Sequence, residues 1–207
     1  MKKKFLGALR ELRNGRKRNF IESVDLIINL KDFNPKIDSL NIFVTLPFET
    51  KEKKVCAFLE KPNKNFDLCI TKQELPKFQN KKEIKKIVKN YDFFVSLASL
   101  MPAVATTFGR YLGPAGKMPS PQLGIIQNDD EKNIKEIIEK IKRITKIKTK
   151  EASIKVMIGK EDMSDEELSE NALTVYSSIV DALPKRKENI KNIMLKFTMS
   201  KPIKIGK

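Results

Sequence analysis

No histidine occurs among the 207 residues of this chain. That absence removes the commonest general base, the Ser-His and Cys-His nucleophile arrangements and the commonest zinc ligand together. Cysteine is scarce: Cys56 and Cys69 each sit in an apolar run, Val55 to Leu59 and Leu68 to Ile70, where a thiol behaves as a small hydrophobe. Two such residues suggest neither a disulfide framework nor a metal site. Long hydrophobic runs are missing as well. Met1-Lys2-Lys3-Lys4-Phe5-Leu6 is followed only by short apolar groups before Arg10 and Arg13, which gives no secretory core, and no stretch approaches the length of a membrane span. Internal repeats and low-complexity segments are absent. These absences predict a cytosolic protein with no catalytic residue, no metal and no cofactor.

What is abundant is positive charge. Lys and Arg number 42 against 26 Asp and Glu, a formal charge of +16, with a pI near 9.7. That excess exceeds what solubility requires and lies in the range of nucleic-acid binders, the bland alternative being a solvated basic surface. With 40% hydrophobic residues the chain can bury a core, as one large or two small domains.

The densest local signal runs from Gly109 to Pro121, with three glycines and three prolines in thirteen residues. Glycine reaches positive φ and proline fixes φ, so this composition predicts a rigid built loop rather than helix or strand, carrying Arg110 and Lys117. A Walker phosphate cradle does not fit. Tyr111 stands where the first glycine is needed, and Met118 replaces the hydroxyl that would hold magnesium.

Around that segment the pattern alternates. Residues 1–18 carry eight Lys or Arg and one acid, with Phe5, Ala8, Leu9 and Leu12 at helical spacing. Val24, Leu26, Ile28 and Leu30 alternate, as do Ile42, Val44 and Leu46, predicting two strands about a turn at Pro35. Strands are then expected at Val55 to Leu59, Asp67 to Ile70 and Phe93 to Leu97. Helices carry Ile84, Ile87, Val88 and Tyr91, and later Ile134, Ile137, Ile138, Ile141 and Ile144. Such alternation favours an α/β layer. Ile154, Val156 and Ile158 return to strand period, Ser164-Asp165-Glu166-Glu167 reads as a capping box opening a helix through Leu183, and a final strand is expected from Ile193 to Met199. An enzyme acting on phosphorylated substrates would have to rest on acids such as Asp129-Asp130-Glu131, which read instead as the start of the helix near Asn133.

Leu112-Gly113-Pro114-Ala115-Gly116-Lys117-Met118-Pro119-Ser120-Pro121 resembles the signature of the ribosomal protein L-one family, RNA-binding proteins of the mobile stalk of the large subunit. Further pieces follow in order: Asn19-Phe20-Ile21-Glu22-Ser23-Val24-Asp25, Leu46-Pro47, Tyr91-Asp92-Phe93-Phe94, Leu100-Met101-Pro102, Gly159, Glu170-Asn171 and Thr198-Met199. The resemblance implies an α/β fold in which an α+β domain is built from both termini, roughly 1–53 with 146–207. A Rossmann-like three-layer α/β domain, 54–145, is inserted in it, with hinges at Thr50 to Lys53 and Ile144 to Lys146. It further implies binding to a stalk junction of large-subunit ribosomal RNA, assistance in releasing deacylated tRNA from the exit site, and repression of translation through the protein's own messenger RNA. An extra-ribosomal RNA chaperone or regulator on the same fold is the alternative.

Three distant pieces would then form the RNA site. These are Arg16, Lys17 and Arg18 beside Phe20; Lys146, Lys148 and Lys150, which continue a positive series from Lys140, Lys142 and Arg143; and Lys196, Thr198, Met199, Ser200 and Lys201. The cations supply affinity. By resemblance, Phe20, Thr198 and Met199 match the recognition residues. Read without it, Phe20 enters the core ahead of the strand at Val24 and Thr198 merely ends a strand. The family's usual Thr-Met-Gly-Pro is replaced here by Thr198-Met199-Ser200-Lys201-Pro202. Either Ser200 keeps the same path and adds a hydroxyl, or the turn is reshaped and contact shifts to Lys201. Gly109, Arg110, Gly113, Pro114, Gly116, Lys117, Met118 and Pro119 would form a secondary RNA-contacting or interdomain loop.

Overall fold

A computed structural model describes residues 1–15, 18–35, 38, 40–78, 80–127, 131–149 and 151–206. Its elements in chain order are α1 (Lys2–Arg13), β1 (Ser23–Leu30), β2 (Asn41–Thr45), β3 (Val55–Leu59), β4 (Leu68–Thr71), α2 (Lys81–Asn90), β5 (Phe93–Leu97), α3 (Met101–Ala115), β6 (Ile125–Ile126), α4 (Glu131–Arg143), β7 (Ile144–Lys148), β8 (Ser153–Lys160), α5 (Asp165–Ala182), β9 (Ile190–Phe197) and β10 (Ile203–Gly206). None of the described helices is long and apolar enough to cross a membrane. The chain forms two compact units, Met1–Lys51 with Arg143–Lys207, and Glu52–Lys142.

In the first unit an antiparallel sheet runs in the order β10-β9-β1-β8, and β2 pairs with β7 as a separate antiparallel ribbon. Period two along β1 sends Val24, Leu26, Ile28 and Leu30 into the core. There they meet Phe5, Leu9 and Leu12 of α1 and Leu168, Val175 and Ile179 of α5. The capping box at the start of α5 is formed on both sides: the Glu167 N–H donates to Ser164 Oγ at 3.3 Å, and the Ser164 N–H to Glu167 Oε2 at 3.0 Å. Three acids in the first turn suit the positive end of the helix.

The second unit holds a parallel sheet in the order β4-β3-β5-β6. Its central strand β3 is buried along its whole length, as expected of a parallel sheet covered on both faces. Val55, Ala57 and Leu59 face Ile134 and Ile141 of α4. Cys56 and Phe58 face Ile84 and Val88 of α2 and Val104, Phe108 and Leu112 of α3. The register Ala57↔Cys69 places Cys69 on the opposite face from Cys56, and neither cysteine is in a disulfide. Burial, with Cys69 adding to it, pushes the Cys56 thiol far above its usual range, so it stays protonated and unreactive.

The expected loop over 109–121 is corrected. Gly109, Arg110, Gly113 and Pro114 lie in α3, and only the residues after Ala115 leave it. Gly109, Gly113 and Pro114 weaken a helix by about 1, 1 and 3 kcal/mol. Burying Val104, Phe108 and Leu112 completely returns about 1.5–3 kcal/mol each. The special residues also stand at the boundaries: Pro102 is in the first turn, Pro114 in the last, and Gly116 takes the left-handed cap at φ 68°. The Gly116 N–H donates to Gly113 O at 2.9 Å and the Lys117 N–H to Leu112 O at 3.0 Å, a Schellman closure. Met118 packs into the adjoining core and Pro119 is buried. Two smaller corrections concern ends: Ile144 opens β7 instead of closing α4, and β10 follows the strand read as final. Asp129 and Asp130 lie outside the described residues, while Glu131 begins α4.

One buried side chain ties the first unit together. Asn171 of α5 accepts from the Phe48 N–H at 3.1 Å and donates to Phe48 O and Ile158 O at 3.2 and 2.9 Å. Asn171→Ala strands these backbone groups away from water and is expected to lower unfolding stability by about 1–3 kcal/mol, read as a shift of the urea midpoint at constant slope.

Candidate nucleic-acid interface

The site grows from the two residues that precede and enter β1. Glu22 is only 4% exposed; its carboxylate Oε2 accepts the Met199 N–H at 2.7 Å. Its own N–H donates to Glu161 Oε2 at 3.3 Å, and its carbonyl accepts the Glu161 N–H at 2.8 Å. One residue on, the Thr198 N–H donates to Ser23 O at 3.1 Å, while Thr198 Oγ1 accepts the Ser23 N–H at 3.0 Å. The turn after β9 is thus laced to the start of β1.

Ser200 keeps this turn closed. Its Oγ accepts the Phe197 N–H at 2.8 Å, and its own N–H donates to Phe197 O at 3.1 Å. The residue adopts no positive φ, so a side chain fits where the family pattern has glycine. Its hydroxyl braces the backbone, and Lys201 stands exposed beyond it.

The lacing leaves apolar groups facing water. Phe20, Ile21 and Met199 are 54%, 60% and 60% exposed, and with Met1 they are the large hydrophobics exposed among the described residues. Reading Phe20 as a core residue is therefore corrected. Glu22 takes the inward place at the head of β1, while Phe20, which strand period would also point inward, lies ahead of the strand and is exposed together with Ile21. Arg18, Phe20 and Ile21 line a groove of about 480 Å³ with Arg13, Glu161 and Asp162. The Arg13 guanidinium is committed to that wall. Its Nε meets Asp165 Oδ1 at 2.6 Å, and its terminal nitrogens donate to Glu161 O and Met163 O at 3.0 and 2.6 Å. It thereby anchors the end of α1 beneath the Arg18–Phe20 segment.

Lys196 stands two residues before Thr198, opposite Asp25 in the β1–β9 register. Burial raises the Asp25 carboxyl above its ordinary range, and the Lys196 ammonium opposes that shift. The structure thus joins Arg18, Phe20, Lys196, Thr198, Met199, Ser200 and Lys201 in one region. Lys146 and Lys148 are on the β2–β7 ribbon instead, in register with Phe43 and Asn41. The Lys146 ammonium lies 5.1 Å from the Phe43 ring centroid. Burial, followed by the charge of Lys148, holds it below the usual lysine range. Arg16, Lys17 and Lys150 lie outside the described residues. In the second unit Arg110 is exposed, whereas Lys117 Nζ donates to Val88 O and Tyr91 O at 2.8 and 2.6 Å, closing the end of α2.

Sequence reasoning missed the use of Glu22 and Ile21, although the signal was there. Extending the period of Val24 back by two positions points Glu22 inward, and the same parity points Ile21 outward. No cluster of metal-ligating side chains occurs among the described residues. Cations around a rigid, exposed apolar tip suit phosphate neutralisation combined with close contact to sugars or bases.

The sequence model of the Ribosomal protein L1p/L10e family matches residues 11–201. The chain is similar to the large ribosomal subunit protein uL1 of Nanoarchaeum equitans, 34% identical over 207 residues covering 95% of this chain and 97% of that one. It is 36% identical to uL1 of Thermofilum pendens over 204 residues, 93% and 87% of the two chains. With uL1 of Thermococcus kodakarensis it shares 31% over 215 residues, 99% and 97%.

Two outcomes are expected, one on the β2–β7 ribbon and one at the Asp25–Lys196 pair. Lys146→Ala flattens the logarithmic salt dependence of RNA binding by about 0.7–0.9, the value of one phosphate contact; an unchanged slope removes Lys146 from the interface. Asp25 binds its proton more tightly folded than unfolded, so stability falls as pH rises from the ordinary carboxylate pKa through the raised one. Asp25→Asn is accordingly more stable than the parent at neutral pH, with the difference vanishing in acid, as pH-dependent urea melts will read.

Proposed function

Because the chain belongs to the Ribosomal protein L1p/L10e family, we propose that its first unit grips a helical junction of large-subunit ribosomal RNA through the Phe20–Met199 region. The protein is a structural constituent of the large ribosomal subunit, not an enzyme, and its place is the cytoplasmic ribosome. The observation carrying the RNA reading is the exposure of Phe20, Ile21 and Met199 on backbone fixed by the Glu22–Met199 and Ser23–Thr198 bonds. Apolar side chains held open to water by internal hydrogen bonding are supported by a partner that covers them.

In this reading Arg18, Lys196 and Lys201 neutralise phosphates, and Phe20 and Met199 lie against sugars or an irregular base surface. The A-form major groove is too narrow for side chains, so discrimination falls to the minor groove and its 2′-hydroxyls. Thr198 suits that task. Its oxygen accepts from the Ser23 N–H at 3.0 Å, and its hydroxyl donates to Ser23 O over a long 3.4 Å, a bond that a 2′-hydroxyl acceptor would replace. At the stalk beside the exit site, the same grip assists release of deacylated tRNA as the stalk swings. A similar junction in the protein's own messenger RNA would occupy the same residues and repress translation.

The test is titration across salt with a stalk-junction fragment and a generic duplex of equal length. Junction binding at least about 10³-fold tighter is expected, as for specific complexes. Equal binding overturns the reading in favour of a general RNA chaperone. Thr198→Val should weaken junction binding by about 1–3 kcal/mol while Thr198→Ser retains it. Parent affinity in the valine variant removes that hydroxyl from the contact.

A further inference from the structure

Helix α2 carries five lysines and one glutamate in ten residues. Lys81, Lys85 and Lys89 recur at intervals of four and share one face, with Lys82 and Lys86 in a parallel row; all five are exposed. Like charges at this spacing oppose the helix that bears them. None of the five ammonium groups has an ion pair or hydrogen bond among the described residues. The one acid, Glu83, accepts instead from the capping Asn80 at 3.3 Å.

Arg110 of α3 is likewise exposed and without such a partner. With Lys85 and Lys89 it rims a groove of about 460 Å³ whose lining includes Val88, Tyr111 and Pro114. Lys117 bonds from the loop after α3 to the last turn of α2, so the groove is held by a crosspiece between its walls. A shaped, cationic, partly aromatic groove has therefore been kept at the expense of helix electrostatics.

We propose that this α2–α3 groove of the second unit is an additional docking surface for an RNA strand, resting on the RNA-binding reading above. Lysines one turn apart advance about 6 Å along the helix, a regular ladder of charge suited to successive phosphates. Tyr111 and Pro114 offer a base or ribose an apolar face. A lipid surface fits less well. Among the described residues of this unit no large hydrophobic is exposed, so nothing is available to insert between acyl chains.

The experiment uses the full chain with Lys85→Gln, Lys89→Gln and Arg110→Gln combined, Arg110→Gln alone, and Phe20→Ala with Met199→Ala as a separate variant. Each is titrated across salt against single-stranded oligouridine of about 12 nucleotides, and melted without RNA. The triple variant is expected to lose about 0.7 of salt slope per contact removed, and Arg110→Gln about one third of the triple effect. Relief of repulsion leaves the melting temperature of the triple variant at or above the parent value. The triple variant keeps its preference for the junction fragment over duplex. The Phe20–Met199 variant loses that preference but keeps the part of the oligouridine slope that the triple variant lacks. Parent-like oligouridine slopes in both α2–α3 variants overturn the groove. So does loss of anionic-vesicle capture by the triple variant with no change in oligouridine binding. If no protein prefers the junction yet the triple variant still loses slope, the Phe20 reading fails and the groove stands.

Discussion

Everything in the first unit depends on where β1 finds its partners. The strand lies near the start of the chain, yet its ladders are made with residues 153–160 on one side and 190–197 on the other. A segment that supplies the centre of a sheet from one end of the sequence and both flanks from the other forces the two ends together. The start of β1 and the turn after β9 then fall side by side, and the Glu22–Met199 and Ser23–Thr198 bonds are the last rungs of that pairing. The exposed apolar tip is a consequence of sheet topology, because no local segment contains both Phe20 and Met199.

The second unit solves a separate problem with local connections. Parallel strands need crossovers: α2 lies between β4 and β5 and α3 between β5 and β6, while residues 60–67 join β3 to β4 without a helix, and β3 is buried on both faces. Its cores alternate residue by residue along β3, so a single-residue change of register would bring the wrong side chains against both helical layers. Closing the long loop between β1 and β8 carries an entropic cost that rises only logarithmically with its length. A compact unit in the middle of the sequence is consequently tolerated by the pairing that surrounds it.

Much of this was legible in the sequence where period alone decides. The faces of α1, α2 and α5, the strands β1, β3 and β5, and the Ser164 capping box follow from spacing, and each has an ordinary physical cause in burial or an unsatisfied backbone donor. The stretch from Gly109 was misread because composition was weighed without position. Pro102 and Gly116 are boundary signals of one helix, and the glycines between them are outweighed by Val104, Phe108 and Leu112. Two-residue β6 and the short edge strand β10 carry too little pattern to stand out. Which strands pair is not a periodic property at all. At the site, the positive residues and the Thr198-Met199 turn were visible, whereas Phe20 shares the inward parity of Glu22 and Val24 and is exposed ahead of the strand, the inward place going to Glu22, whose carboxylate accepts the Met199 N–H.

That placement also explains an acid at the centre of a basic surface. The turn has a backbone donor at Met199 that needs an acceptor from β1, and a carboxylate makes the stronger bond. Placed outward, its charge would repel phosphate. Placed inward at 4% exposure, it is engaged by the Met199 N–H. The same bond fixes Met199 before any partner arrives, so less conformational freedom remains to be lost on binding. The buried carboxylate thus serves the turn and not the surface: its bond to the Met199 N–H holds that residue open to water, beside a face on which Lys196 stands opposite Asp25 and Arg18 shares a groove with Glu161 and Asp162.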